Sequence, residues 1–235
     1  MSKNNLKRSI GRLAVETLVE SGMKLGLGSG STAVEAVRRV GELVRTGELK
    51  NLRLVPTSFQ TEEECRRSGL VVSRLNDPDI GAELDLSIDG ADEIDPEWNL
   101  IKGGGGALLS EKIVARASVR YCIVADAAKR VRSLGQEFPV PVEVVPEALA
   151  LVIRELEKLG ATPELRQAVR KAGPVVTDHG NLILDARFAS VFIPAEMERL
   201  LNSIPGVMEN GIFTHPVTDL FVAARSDQIE HLKRP

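Results

Sequence analysis

Met23-Lys-Leu-Gly-Leu-Gly-Ser-Gly-Ser-Thr32 reads as a short buried strand, Met23–Leu27, passing through a glycine-rich turn into a helix over 32–45. Val34, Val37, Val40 and Val44 give that helix its spacing, with Gly41 as a weak point. The alternation continues on both sides. A helix over 5–21 precedes the strand, with Ile10, Leu13, Ala14 and Leu18 on one face. Downstream come the strand Leu52–Val55, a helix across Thr61–Ser68, and the strands Val71–Ser73 and Leu84–Ile88. Ser110–Ser118 reads as a helix capped by Ser110, and Tyr121–Ala125 as a further strand. Strands alternating with helices demand right-handed crossovers, hence a mostly parallel sheet covered on both faces. The expected fold class is α/β, with a Rossmann-like sheet domain.

The texture changes at Phe138-Pro139-Val140-Pro141, a stiff connector. Beyond it, Val142–Val145 reads as a strand and Pro146–Leu159 as a helix with proline in its first turn. Leu165–Thr177 and Asn181–Ala186 read as strands paired around Asp178-His179-Gly180. A helix over Pro194–Ser203 and a strand over Val207–Phe213 complete β-α-β-β-α-β, the ferredoxin-like α+β unit. Asp219–Arg225 is one more strand, which can return to the first sheet. The expected division is a catalytic domain over 1–137 and 214–235, with a smaller domain over 138–213 inserted into it.

A chain of 235 residues can bury one large core or two modest ones. Only 3% of it is aromatic, so those cores must be built from Val, Leu, Ile and Ala. A net charge of −3 gives no sign of a nucleic acid or membrane partner, although an anionic metabolite needs only local donors. Cys65 and Cys122 have no partner at metal or redox spacing and are expected to be buried, reduced packing residues of a cytoplasmic protein. His179, His215 and His231 are scattered over turns and the tail, and form no metal spacing.

Three segments have the chemistry of a site. In Gly26-Leu-Gly-Ser-Gly-Ser-Thr32, backbone N–H groups and a helix start suit an anion, and Ser31 and Thr32 add hydroxyls. The spacing is neither a dinucleotide fingerprint nor a P-loop, and a tight turn with a helix cap is the rival reading. Asp89-Gly-Ala-Asp-Glu-Ile-Asp95 directly follows an apolar strand, where parallel sheets gather ligands. Four carboxylates in seven residues are expected to repel one another and raise their pKa values. A solvated acidic turn and a Mg²⁺ site stay open beside a proton-handling role, whereas a calcium loop needs more alternating oxygens. In Lys102-Gly-Gly-Gly-Gly-Ala-Leu-Leu-Ser-Glu-Lys112, consecutive glycines are entropically costly and suit a backbone lying flat against a small polyol. Taken singly, Glu111 is equally a favourable charge in a first helical turn, and Lys102 a surface cation.

Taken together, Gly28-Ser-Gly-Ser-Thr32, Asp89-Gly-Ala-Asp-Glu93, Lys102-Gly-Gly-Gly and Ser110-Glu-Lys112 closely resemble the type A ribose-5-phosphate isomerase family. Ala125-Asp-Ala-Ala-Lys129, the Phe138–Val144 connector and Ile204-Pro-Gly-Val207 extend the resemblance over nearly the whole chain. It implies a Rossmann-like domain with a smaller α/β domain, a homodimer or homotetramer, and interconversion of D-ribose 5-phosphate and D-ribulose 5-phosphate without metal or cofactor. It further implies that Glu111 is the general base and that Asp89, Asp92 and Lys102 handle protons and charge on O1 and O2. Ser29, Gly30, Ser31, Thr32, Gly90, Ala91, Gly103, Gly104, Gly105 and Lys129 match its substrate-binding positions, and Lys7 matches a phosphate contact more weakly. Ser29 stands where Thr is common, Gly106 where Ala is common, and Ala168–Pro174 reads as an insertion.

Two other classes are weighed. A sugar-phosphate sensor normally carries a DNA-reading module, and no basic recognition helix is visible. An acyl-CoA transferase on a related sheet would use a glutamate nucleophile, which a trapped acyl-enzyme on Glu111 would reveal.

Overall fold

The computed structural model describes residues 3–223 and 228–234. In chain order the elements begin with α1 (Lys3–Leu18), β1 (Lys24–Leu27), α2 (Ala33–Thr46), β2 (Arg53–Pro56), α3 (Phe59–Arg67) and β3 (Leu84–Asp89). Next come β4 (Glu93–Ile94), β5 (Leu100–Ile101), α4 (Leu108–Ala117), β6 (Ser118–Ala125) and β7 (Val140–Val144). The remainder are α5 (Leu149–Lys158), β8 (Ala161–Leu165), β9 (Leu182–Phe188), α6 (Pro194–Asn202), β10 (Val207–Asn210), β11 (Ile212–Phe213), β12 (Asp219–Ala223) and β13 (Ile229–Lys233).

The chain forms two compact units. The first takes residues 1–91, 110–129 and 216–235, and the second residues 92–109 and 130–215. This divides the chain differently from the sequence expectation, which left 92–109 with the catalytic domain. The reason is pairing: β4 and β5 form a small antiparallel sheet with β11, in the order β11-β5-β4.

The first unit is a six-stranded sheet ordered β13-β12-β6-β3-β1-β2. All neighbours are parallel except β12 with β13. The order reverses between β1 and β3, and in doubly wound sheets that reversal opens a crevice at the strands' carboxyl ends. Fully buried Leu25, Leu27, Leu86, Ile88, Val124 and Phe221 fill one core cluster together with Ile10, Ala14, Val37 and Val40 from the helices. Each large aliphatic chain so buried stabilises the fold by about 1.5–3 kcal/mol. Helix α2 follows from its burial stripe at Ala33, Ala36, Val37, Val40 and Leu43. It stops where left-handed Gly47 donates to the carbonyls of Leu43 and Val44.

The second unit has a four-stranded antiparallel sheet, β10-β7-β9-β8. With α5 and α6 this is the split βαβ arrangement expected of a ferredoxin-like unit. Among the described residues, no helix is long and apolar enough to cross a membrane.

Several element readings are corrected. Val71–Ser73 is not a strand: it makes one ladder-like bond, Ser73 N–H to Leu54 O at 2.7 Å, before the chain turns at Arg74–Asp77. The strand expected over Leu165–Thr177 lies earlier, at Ala161–Leu165. Pro163 is tolerated there because β8 is an edge strand with no outer partner needing its N–H. Helix α4 starts at Leu108, so Ser110 lies inside its first turn and does not cap it. Val207–Phe213 breaks at Gly211 into strands of two different sheets. Of the strand expected over Asp219–Arg225, Arg225 lies outside the described residues.

The strand β13 has no counterpart in the sequence reading, which left His231 in a tail. Its alternation is weak, and tertiary contacts specify it. The His231 ring stacks on Phe221 at 4.0 Å, and its Nε2 lies 2.9 Å from Asp219. Burial works to raise the Asp219 pKa, but hydrogen bonds from His231, Thr218 and Arg120 outweigh it and hold the carboxyl below its usual range.

Candidate active site

The residues singled out by sequence fall in both units. In the first unit they collect where the parallel strands end. After β1, the Gly28 N–H donates to Ile88 O at 2.9 Å, which ties the glycine-rich turn to β3. Asp89, the last residue of β3, is 2% exposed. Its Oδ1 accepts N–H groups from Ser29 at 3.1 Å and Gly90 at 2.7 Å. Gly28 has to be glycine, because a Cβ there would lie 2.1 Å from Asp89 Oδ1 and 2.5 Å from Asp89 Cα. Gly28→Ala is therefore expected to destabilise the protein by about 1–3 kcal/mol through overpacking. An unchanged melting midpoint would show that Asp89 is not locked against this turn.

Ser29 turns inward. Its hydroxyl lies 2.6–3.1 Å from those of Thr57, Ser58 and Thr61, and Thr61 also donates to Gly28 O at 3.0 Å. The Ser29 hydroxyl is thus taken up inside the protein, as its N–H is by Asp89. Ser31 is different: exposed before the start of α2, its hydroxyl accepts from Lys7 Nζ at 2.7 Å. A cation, a hydroxyl and a helix N-terminus together have the chemistry that suits an anion. Gly30 has φ +94° with open space around it, and Thr32 is buried. Lys129 lies in a short 3-10 turn after β6, where its N–H donates to Asp126 O at 3.1 Å. Glu111, in the first turn of α4, is 5% exposed.

In the second unit, Asp92 Oδ2 accepts the Gly104 N–H at 2.8 Å. Lys102 is 2% exposed, and its amine stands 5.6 Å from the centre of the Phe213 ring. Gly103 has φ +100°, and the Gly106 N–H closes a turn onto its carbonyl at 3.0 Å. Gly104 and Gly105 are exposed.

In the acidic stretch each carboxylate is held by its own set of donors. Glu93 accepts N–H groups from Gly135, Glu137 and Phe138 at 2.6–2.7 Å, and Asp95 accepts from Glu97 and Asn99. Those two carboxylates shape the loops around residues 135–138 and 97–99. Among the described residues, no group of three or more His, Cys, Asp or Glu is placed to hold a metal ion. Cys65 and Cys122 are free and buried; burial first, then Glu64 and Glu62, pushes the Cys65 thiol up to about 12.

Residues 53–227 match the family described as ribose 5-phosphate isomerase A (phosphoriboisomerase A). The protein belongs to the ribose 5-phosphate isomerase A family. Ribose-5-phosphate isomerase A of Treponema denticola is 46% identical, covering 99% of this chain and 100% of its own. That of Synechococcus is 48% identical over 95% of this chain and 94% of its own. The structure of ribose 5-phosphate isomerase A from Methanocaldococcus jannaschii superposes with TM-score 0.92 at 38% identity, covering 99% of this chain and all of that one. A D-ribose-5-phosphate isomerase in complex with phospho-erythronic acid superposes with TM-score 0.94 at 39% identity, over the whole of both chains. Membership in the isomerase A family accounts for the fold as well as the motifs.

Proposed function

We propose that the protein interconverts D-ribose 5-phosphate and D-ribulose 5-phosphate by moving a proton between C2 and C1 of the open-chain sugar through an enediolate. The observation that carries this reading is the full-length kinship with proteins named ribose-5-phosphate isomerase A. The complex of a structural relative with phospho-erythronic acid supports it. That compound presents two carboxylate oxygens side by side, as a cis-enediolate presents O1 and O2.

A C–H beside a sugar carbonyl is a weak acid, so the step needs a placed base and stabilisation of the oxygen that gains charge. Glu111 is the base that carries the proton. Lys102 stabilises the enediolate oxygen, in a buried position where a cation acts more strongly than in water. Asp89 and Asp92 serve ring opening and proton handling at O1 and O2. The phosphate lies at the α2 start with Ser31 and Lys7, and Gly103–Gly105 with Lys129 complete the binding positions. The enzyme is cytoplasmic, in keeping with two buried free thiols, and works as a homodimer or homotetramer.

The test is to incubate the purified protein with ribose 5-phosphate in D₂O and follow it by NMR. The expected result is ribulose 5-phosphate carrying deuterium at C1. Absence of the ketose would overturn the reading, and deuterium at C1 marks proton transfer as against a hydride shift, which incorporates none.

A further inference from the structure

Four glycines in succession lose more conformational freedom on ordering than any other four residues, and they have no side chains to hold them. Something outside the loop must pin Gly103–Gly106. Within the second unit, that part falls to Arg166, a residue that no motif picked out. It directly follows β8, and its own N–H donates to Ile183 O of β9 at 2.9 Å. Its guanidinium divides its donors between two partners. Nε and Nη2 take both oxygens of Asp185, at 2.8 and 2.5 Å. Nη1 donates to Gly103 O at 2.8 Å and to Gly104 O at 3.2 Å.

A plain cross-strand ion pair accounts for the Asp185 half of this arrangement. It does not account for Nη1 on the glycine carbonyls. The Gly103 carbonyl and the Gly104 N–H are two ends of one planar peptide group. Arg166 holds its oxygen, and Asp92 accepts its N–H at 2.8 Å. A charged donor on the carbonyl also polarises the peptide and strengthens donation from its far end. Because Asp185 neutralises the guanidinium, Arg166 acts on the loop by direction, with no net charge offered to a ligand. Its side chain is 14% exposed and that of Asp185 22%, so the fork is sheltered enough to keep its geometry.

We propose that Arg166, oriented by Asp185, is a positioning residue for the isomerase reaction: it locks the Gly103–Gly104 peptide and through it aims the Asp92 carboxylate. The proposal rests on the reading of Asp92 as a proton-handling group. A lysine cannot substitute fully, because one ammonium cannot reproduce the fork that serves a carboxylate and two carbonyls at once.

The test is a double-mutant cycle on the full chain, assayed with ribose 5-phosphate at a temperature where circular dichroism shows each variant folded. Arg166→Met is expected to lower kcat/KM by about 10²-fold, the order of loss for a reacting group displaced by an ångström. In an Asp92→Asn background the same substitution should cost less than about threefold, because its effect runs through Asp92. Equal losses in both backgrounds, or an unimpaired Arg166→Met enzyme, overturn the proposal. If Arg166→Met does not fold, Arg166→Lys carries the same cycle with an intermediate loss. Asp92→Asn turning over at the wild-type rate would remove the role of Asp92 itself, and the proposal with it. The D₂O experiment on the wild-type enzyme reports separately on the isomerase reading.

Discussion

Glu111→Gln is expected to lower kcat by about 10²–10⁴-fold, the usual contribution of a positioned general base. Glutamine keeps the size and polarity of the side chain, so the melting midpoint and the affinity for ribose 5-phosphate should change little. Exchange of the C2 proton of ribose 5-phosphate with D₂O should fall in step with turnover, because both use the same base. A variant that turns over slowly yet exchanges C2 at the wild-type rate would place the base elsewhere. Glu111 is buried in the first turn of α4, where the helix dipole favours a carboxylate.

Lys102→Met should lower kcat by about 10²–10³-fold, the loss seen when a donor to a developing oxyanion is removed. Methionine keeps an unbranched apolar chain of similar length, so the lost charge is separated from lost bulk. Charge on the sugar oxygen exists in the transition state and hardly in the ground state, so KM should stay near wild type. Affinity for phospho-erythronic acid, which carries that charge permanently, should fall alongside kcat. Unchanged affinity for this compound, with kcat reduced, would mean that Lys102 acts on something other than the enediolate.

Much of the fold was legible because periodicity is local. The valine spacing of α2, the apolar run of β3 and the Pro146 start before α5 each report on burial of a single element. Elements were misread where a distant partner decides. Ala161–Leu165 is a strand only because β9 lies beside it, and Ile229–Lys233 only because β12 offers Phe221 and Asp219 to His231. The break at Gly211 is of the same kind: a Cβ there would lie 2.4 Å from Lys102 O. Chain grouping went the same way, since nothing in 92–109 itself announces pairing with β11.

The candidate site divides similarly. Sequence alone singled out Asp89, Asp92, Lys102, Glu111 and the glycine runs as candidates, because chemically demanding residues sat close together along the chain and matched a family's motifs in order. It could not separate the four acidic residues from one another. That took the N–H donors around Glu93 and Asp95, which come from residues 135–138 and 97–99. Nor could it show that Ser29 points inward while Ser31 meets Lys7, or that Arg166 reaches 62 and 63 positions back to the glycine carbonyls. The amino-acid sequence by itself determined which residue types are present and which elements they favour, since both depend on neighbours a few residues away. Only the tertiary structure decided which partners hold each of those residues, because a hydrogen bond depends on distance in space.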